Sequence, residues 1–83
     1  MDSTDIRGHL ILVAGAASGI GKEIAISFIN RGAIVAACDK NMEMLLTIEI
    51  EIDSRNFHAF EVDFVSESSI LSCVSKVESR LGP

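Results

Sequence analysis

An apolar run that breaks off in a cluster of glycines constrains this chain most. Leu10-Ile11-Leu12-Val13-Ala14 leads into Gly15-Ala16-Ala17-Ser18-Gly19-Ile20-Gly21, with the glycines spaced G-x-x-x-G-x-G. A helix-compatible segment follows over residues 22–31, and Gly32 closes it. A short run that is apolar on both faces reads as a strand buried within a parallel sheet. Glycines allow a tight turn and a close approach of the main chain to another group. The helix start adds unpaired N–H groups and the positive end of a dipole. Strand, glycine loop and helix in this order form the arrangement that receives a pyrophosphate.

The remaining chain repeats the strand–helix alternation. Residues 33–38 form a second apolar run that ends in Asp39, and residues 57–62 form a third that ends in Asp63. The first helix spans about residues 20–31, with Ile20, Ile24, Ala25, Phe28 and Ile29 as its buried stripe. Residues 47–53 alternate strictly, as a half-buried strand would, but Met42, Leu45, Leu46, Glu49 and Ile52 also fit a helix. Parallel strands need a crossover, and this segment is the only candidate, so a helix is expected over residues 42–54. Ser66 is placed to cap a third helix with Ile70, Val74, Val77 and Leu81 as its stripe.

The expected fold class is therefore α/β, a partial Rossmann fold of βαβαβα order. Its three-stranded parallel sheet has the order 3-2-1 with helices on both faces. Right-handed crossovers put the first two helices on one face and the third on the other. Asp39 and Asp63 then both stand at the carboxyl ends of strands, the edge where open α/β sheets bind ligands.

With 83 residues, the chain (1–83) is one domain at most. An apolar fraction of 48% is too high for a disordered chain. A net charge of −5 argues against nucleic acid, which needs a basic face. No apolar run approaches a membrane span, and the acidic start Met1-Asp2-Ser3-Thr4-Asp5 resembles no targeting peptide. Cys38 and Cys73 lie in no metal or redox spacing. They read as two buried, reduced thiols, which points to a cytoplasmic protein with no metal site. His9 and His58 have no carboxylate or hydroxyl partner at a meaningful spacing.

Two better-known phosphate loops do not fit. A P-loop, G-x-x-x-x-G-K-[ST], requires Gly and Ser or Thr where this chain has Ala16 and Glu23. The fingerprint G-x-G-x-x-G fails at Ile24. The spacing Gly15, Gly19, Gly21 instead resembles the short-chain dehydrogenase/reductase signature T-G-x-x-x-G-x-G, with Ala14 in place of Thr. That change removes a hydroxyl that usually ties the loop to the next strand.

The resemblance extends along the whole chain and implies a set of cofactor contacts. Gly15, Ser18, Gly19, Ile20 and Gly21 would hold the pyrophosphate, mainly through backbone. Asp39 stands 18 residues after Gly21, where an acid binds the adenosine ribose, accepts from both hydroxyls and repels a 2′-phosphate. NAD is therefore expected over NADP, although Lys40 adjoins Asp39. Asp63-Phe64 resembles the acid-plus-apolar pair that contacts adenine in this family.

The resemblance also implies what this chain does not carry. The family transfers hydride between a nicotinamide cofactor and a carbonyl or secondary alcohol with a Tyr-x-x-x-Lys pair, a Ser and an Asn. The chain contains no tyrosine, and it holds no Asn-Asn-Ala-Gly segment. No catalytic residue is assigned, and the chain alone is expected to be inactive. The expectation is an N-terminal cofactor-binding portion that stops before the fourth strand, near Pro83. The first strand would then be an open apolar edge, prone to self-association or to pairing with a full-length relative. The alternatives are a non-catalytic dinucleotide-binding or dimerisation module, and a truncated product without function.

Overall fold

The computed structural model describes residues 5–82; Pro83, near which a fourth strand is expected to begin, and residues 1–4 of the acidic start lie outside the described part. Six elements alternate along the chain: β1 (Leu10–Ala14), α1 (Gly19–Asn30), β2 (Ile34–Asp39), α2 (Met42–Ile52), β3 (Phe57–Glu61) and α3 (Glu67–Leu81). All strand pairs are parallel, and β2 lies between β1 and β3. Leu10 pairs with Ile34 and Ala14 with Cys38; Val35 pairs with Phe57 and Asp39 with Glu61. This register brings the carboxyl ends of the strands to one edge of the sheet.

Two apolar layers cover the two faces. Val13, Val35, Ala37 and Phe57 pack with Ala25 of α1 and with Leu45 and Ile48 of α2. Ala36, Cys38 and Phe60 pack on the opposite face with Cys73 and Val77 of α3. The first two helices thus share one face and the third takes the other, as right-handed crossovers require. Central β2 is buried on both sides through Val35, Ala36, Ala37 and Cys38. Among the described residues β1 has a strand neighbour on one side only, and its Leu12 is 47% exposed.

The helix boundaries follow local chemistry. Gly32 adopts φ 84°, and the end of α1 is a Schellman motif: the Gly32 N–H donates to the Ile29 carbonyl and the Ala33 N–H to the Phe28 carbonyl. Asn41 Oδ1 caps α2 by accepting from the Met44 N–H at 3.0 Å. The second helix ends at Ile52, two residues before the expected boundary, because Asp53 turns into the left-handed region at φ 50°. The alternating stretch is helical: Ile48 is buried, whereas Ile50 is 79% exposed. Ser66 caps α3 as expected, accepting from the Ser69 N–H at 3.2 Å.

Two buried stripes differ from expectation. In α1, Ile20 is 80% and Ile24 42% exposed, and the inward positions are Gly21 and Ala25, with Phe28 and Ile29 partly buried. Small residues let α1 sit close to the loop and sheet, which rotates the two isoleucines off the contact line. In α3, Cys73 is buried and Val74 is 40% exposed, so the stripe runs through Ile70, Cys73, Val77 and Leu81. Among the described residues, no helix is long and apolar enough to cross a membrane.

Candidate dinucleotide site

The glycine loop connects β1 to α1, and each glycine meets a different demand. Gly15 turns the chain at φ 70°, a region that disfavours any side chain. Its carbonyl accepts from both the Ser18 N–H at 3.2 Å and the Ser18 hydroxyl at 2.9 Å. Ser18 occupies the N-cap position of α1 but makes no side-chain cap bond, because its hydroxyl is directed to Gly15. The start of α1 is thus left without a side-chain cap, which leaves its orphan N–H donors available to an anion.

Gly19 and Gly21 are not equivalent. A Cβ on Gly19 would meet no protein atom within 4 Å, so the space above it is open. A Cβ on Gly21 would lie 2.6 Å from the Gly15 carbonyl carbon, and closer still to its oxygen. Gly21 is therefore required by the packing of the helix against its own loop. Ile20 projects outward beside Gly19, where the two line a shallow groove with Glu23, Ile24 and Ser27.

Asp39 joins the loop to the sheet. Its Oδ2 accepts from the Ala17 N–H at 3.1 Å, and its Oδ1 accepts from the Asn41 N–H at 2.9 Å. The Ala16 N–H adds a bond to the Cys38 carbonyl at 3.1 Å. These contacts tie the loop to β2 without the hydroxyl that Ala14 lacks. The helix cap is left to Asn41, so Asp39 is not simply a capping residue.

Asp63 follows one strand further along the same edge. The Val62 N–H donates to the Asp39 carbonyl at 3.0 Å, which brings the two acids' strand ends side by side. Asp63 Oδ1 accepts from the Val65 N–H at 3.0 Å, and the Asp63 N–H donates to Ser69 Oγ at 2.9 Å. One carboxylate oxygen thus closes a local turn. Phe64 beside it is 45% exposed. Gly15, Ser18, Gly19, Ile20, Gly21, Asp39, Asp63 and Phe64 therefore line up along one edge. Two participants are missing from that sequence-derived set: the Ala17 N–H and Asn41. The spacing of Asn41 after Asp39 carries a turn signal, whereas nothing in Ala17 marks its amide. Among the described residues, no cluster of three or more His, Cys, Asp and Glu is placed to hold a metal.

Comparison with known proteins agrees with this geometry. The chain is 31% identical over its whole length to a 2,3-dihydro-2,3-dihydroxybenzoate dehydrogenase of Bacillus subtilis, of which it covers 33%. Among solved structures, a 3-ketoacyl-(acyl-carrier-protein) reductase of Brucella melitensis, complexed with NADH, superposes with a TM-score of 0.85 at 28% identity, over 92% of this chain and 31% of that one. A Brucella melitensis structure described as a ribose-5-phosphate isomerase superposes with the same TM-score at 25% identity, over 98% of this chain and 30% of that one. The fold alone thus does not choose a reaction. The chain spans about a third of the length of the curated relatives it matches. The family model described as short chain dehydrogenase matches residues 9–83, the full strand–helix series including the glycine loop and both acids. The chain belongs to the short-chain dehydrogenase family.

Proposed function

We infer that the edge formed by the Gly15–Gly21 loop, Asp39 and Asp63 binds a nicotinamide dinucleotide, as the cofactor-holding part of an oxidoreductase acting on a carbonyl or secondary alcohol. The open space above Gly19, at a helix start without a side-chain cap and beside the Asp39 carboxylate, is the observation that carries this reading. The backbone N–H groups at the start of α1 would face the pyrophosphate. Asp39 would accept from the adenosine ribose, and its charge favours NAD over NADP. Asp63 and Phe64 would border the adenine. The cofactor supplies the hydride chemistry; the residues of this chain bind and orient it. The chain itself has no tyrosine to act as the family's acid/base, so we assign it no catalytic residue. Its buried free thiols suit a reducing compartment, and we place it in the cytoplasm.

Gly19→Val tests the loop directly. Its Cβ would enter the space assigned to the pyrophosphate, where it meets no neighbouring protein group. Native circular dichroism with NADH affinity reduced at least 100-fold is expected in a fluorescence titration. Unchanged affinity would mean that the loop has been misread.

A second reading rests on the open side of β1. Leu12 on one face of the sheet, and Ile20 and Ile24 on the flank of α1 turned away from the Lys22–Glu51 ion pair, leave apolar surface beside a strand edge that no other described strand pairs with. Such an edge pairs readily with another strand. The second reading is a non-catalytic module that self-associates or pairs with a longer relative through this edge. Sedimentation is expected to show dimers or larger species that dissociate when Leu12→Lys is introduced. A concentration-independent monomer would remove this reading.

A further inference from the structure

The two cysteines stand 35 residues apart, yet the fold presses them together. Cys38 Sγ and Cys73 Sγ lie 3.7 Å apart in the layer between the sheet and α3. Both side chains are almost wholly buried, at 1% and 4% exposure. One sulfur belongs to the central strand, immediately before Asp39, and the other to the inward stripe of α3. Around them are Ala36, Phe60, Val62 and Val77, which provide no competing nucleophile or metal ligand. A disulfide needs its sulfurs about 2.05 Å apart. Rotation of the two side chains, with a small shift of α3, has to close less than 2 Å.

We propose that Cys38 and Cys73 form an internal cross-linking site, oxidised by a hydroperoxide to a disulfide that pins α3 to β2. The balance is two thiols plus one hydrogen peroxide giving one disulfide and two waters. One sulfur attacks the peroxide, breaks the O–O bond and becomes a sulfenic acid, with the first water leaving. The second sulfur displaces the hydroxyl of that sulfenic acid, which departs as the second water with the remaining thiol proton. The sulfurs are oxidised and the peroxide is reduced. This inference is independent of the dinucleotide reading, because it requires only the contact between the two layers.

The same burial that brings the thiols together makes them slow to react. Burial first, and then the neighbouring thiol, push Cys38 up to about 12. The thiolate is the reactive form, so little of it exists at neutral pH and more appears as pH rises. Cross-linking is therefore expected to be slow at pH 7 and about 100-fold faster at pH 9, since the thiolate fraction of such a thiol rises about tenfold per pH unit. The bond would also restrict the unfolded chain across the segment between the two residues.

Treatment of the native protein with hydrogen peroxide, followed by alkylation and tryptic peptide mass spectrometry, tests this. The expected product joins the peptide 32–40, which carries Cys38, to the peptide 56–76, which carries Cys73. It should form at low protein concentration with native circular dichroism retained, raise Tm by about 10 °C, and disappear on reduction. Cys73→Ala and Cys38→Ala should each abolish the linked peptide. Because either variant can weaken the core, the wild-type peptide map decides the matter by itself. Sulfinic or sulfonic acid in place of the linked pair, cross-links only between molecules, linkage only in denaturant, or unreacted thiols at pH 9 would each overturn the proposal.

Discussion

Gly21→Ala is expected to lower the melting temperature sharply, although it exchanges one small residue for another inside a helix. The added methyl would strike the Gly15 carbonyl group and lie 3.2 Å from Ala16 Cα. These are backbone atoms held by the turn at Gly15 and by the bond from the Ala16 N–H to the Cys38 carbonyl, so they have little room to move. Overpacking of this kind costs about 3 kcal/mol. A domain of this size loses roughly 12–24 °C of Tm for that amount. The control is Gly19→Ala, two residues away. Its methyl meets open space, and alanine is the better helix former, so its melt should match or slightly exceed the wild type. Thermal melts followed by circular dichroism decide the point. Equal Tm values for Gly21→Ala and wild type would show that the helix can lift from the loop without cost.

Asp39 carries the second large effect, and here the readout is binding. In the proposed site its carboxylate accepts from the ribose while holding the Ala17 and Asn41 amides. Asp39→Ala is expected to weaken NADH binding about 10- to 100-fold, the range for losing hydrogen bonds to a charged group. NADPH affinity should hold steady or rise, because the negative charge opposing a 2′-phosphate is gone. Asp39→Asn separates the two roles. It keeps an acceptor oxygen for the loop but removes the charge, so it should relax the preference for NADH with a smaller loss of affinity. Calorimetric titration of both cofactors against the three proteins gives the ratio. If Asp39→Ala leaves both affinities and their ratio unchanged, Asp39 is solely a structural tie between loop and sheet.

Much of the architecture was legible because its signals are local. Three apolar runs, the glycine after α1 and the serine before α3 each act within a few residues of themselves. The strand-like alternation around Ile48, Ile50 and Ile52 could mislead only until the parallel crossover was taken into account. The buried stripes were less legible. Hydrophobicity placed Ile20 and Ile24 inward together with Ala25; Ala25 is indeed buried, but close seating on the loop selects for small size, and Gly21 rather than the two isoleucines is its inward partner. In α3, a shift of one residue replaced Val74 by Cys73, since steps of three or four residues both fit a helical stripe and periodicity alone cannot choose between the two adjacent positions.

The sequence by itself determined the βαβαβα order, the strand-end positions of Asp39 and Asp63, and the glycine spacing that marks the family. Each of these depends on residue type and spacing along the chain. Only the tertiary structure decided which amides Asp39 holds, why Gly21 and Gly19 differ, and that Cys38 meets Cys73. Those outcomes depend on distances between segments far apart in the chain. Such distances are set by how closely α1 and α3 settle on the sheet, a property of packed volumes that no local pattern encodes.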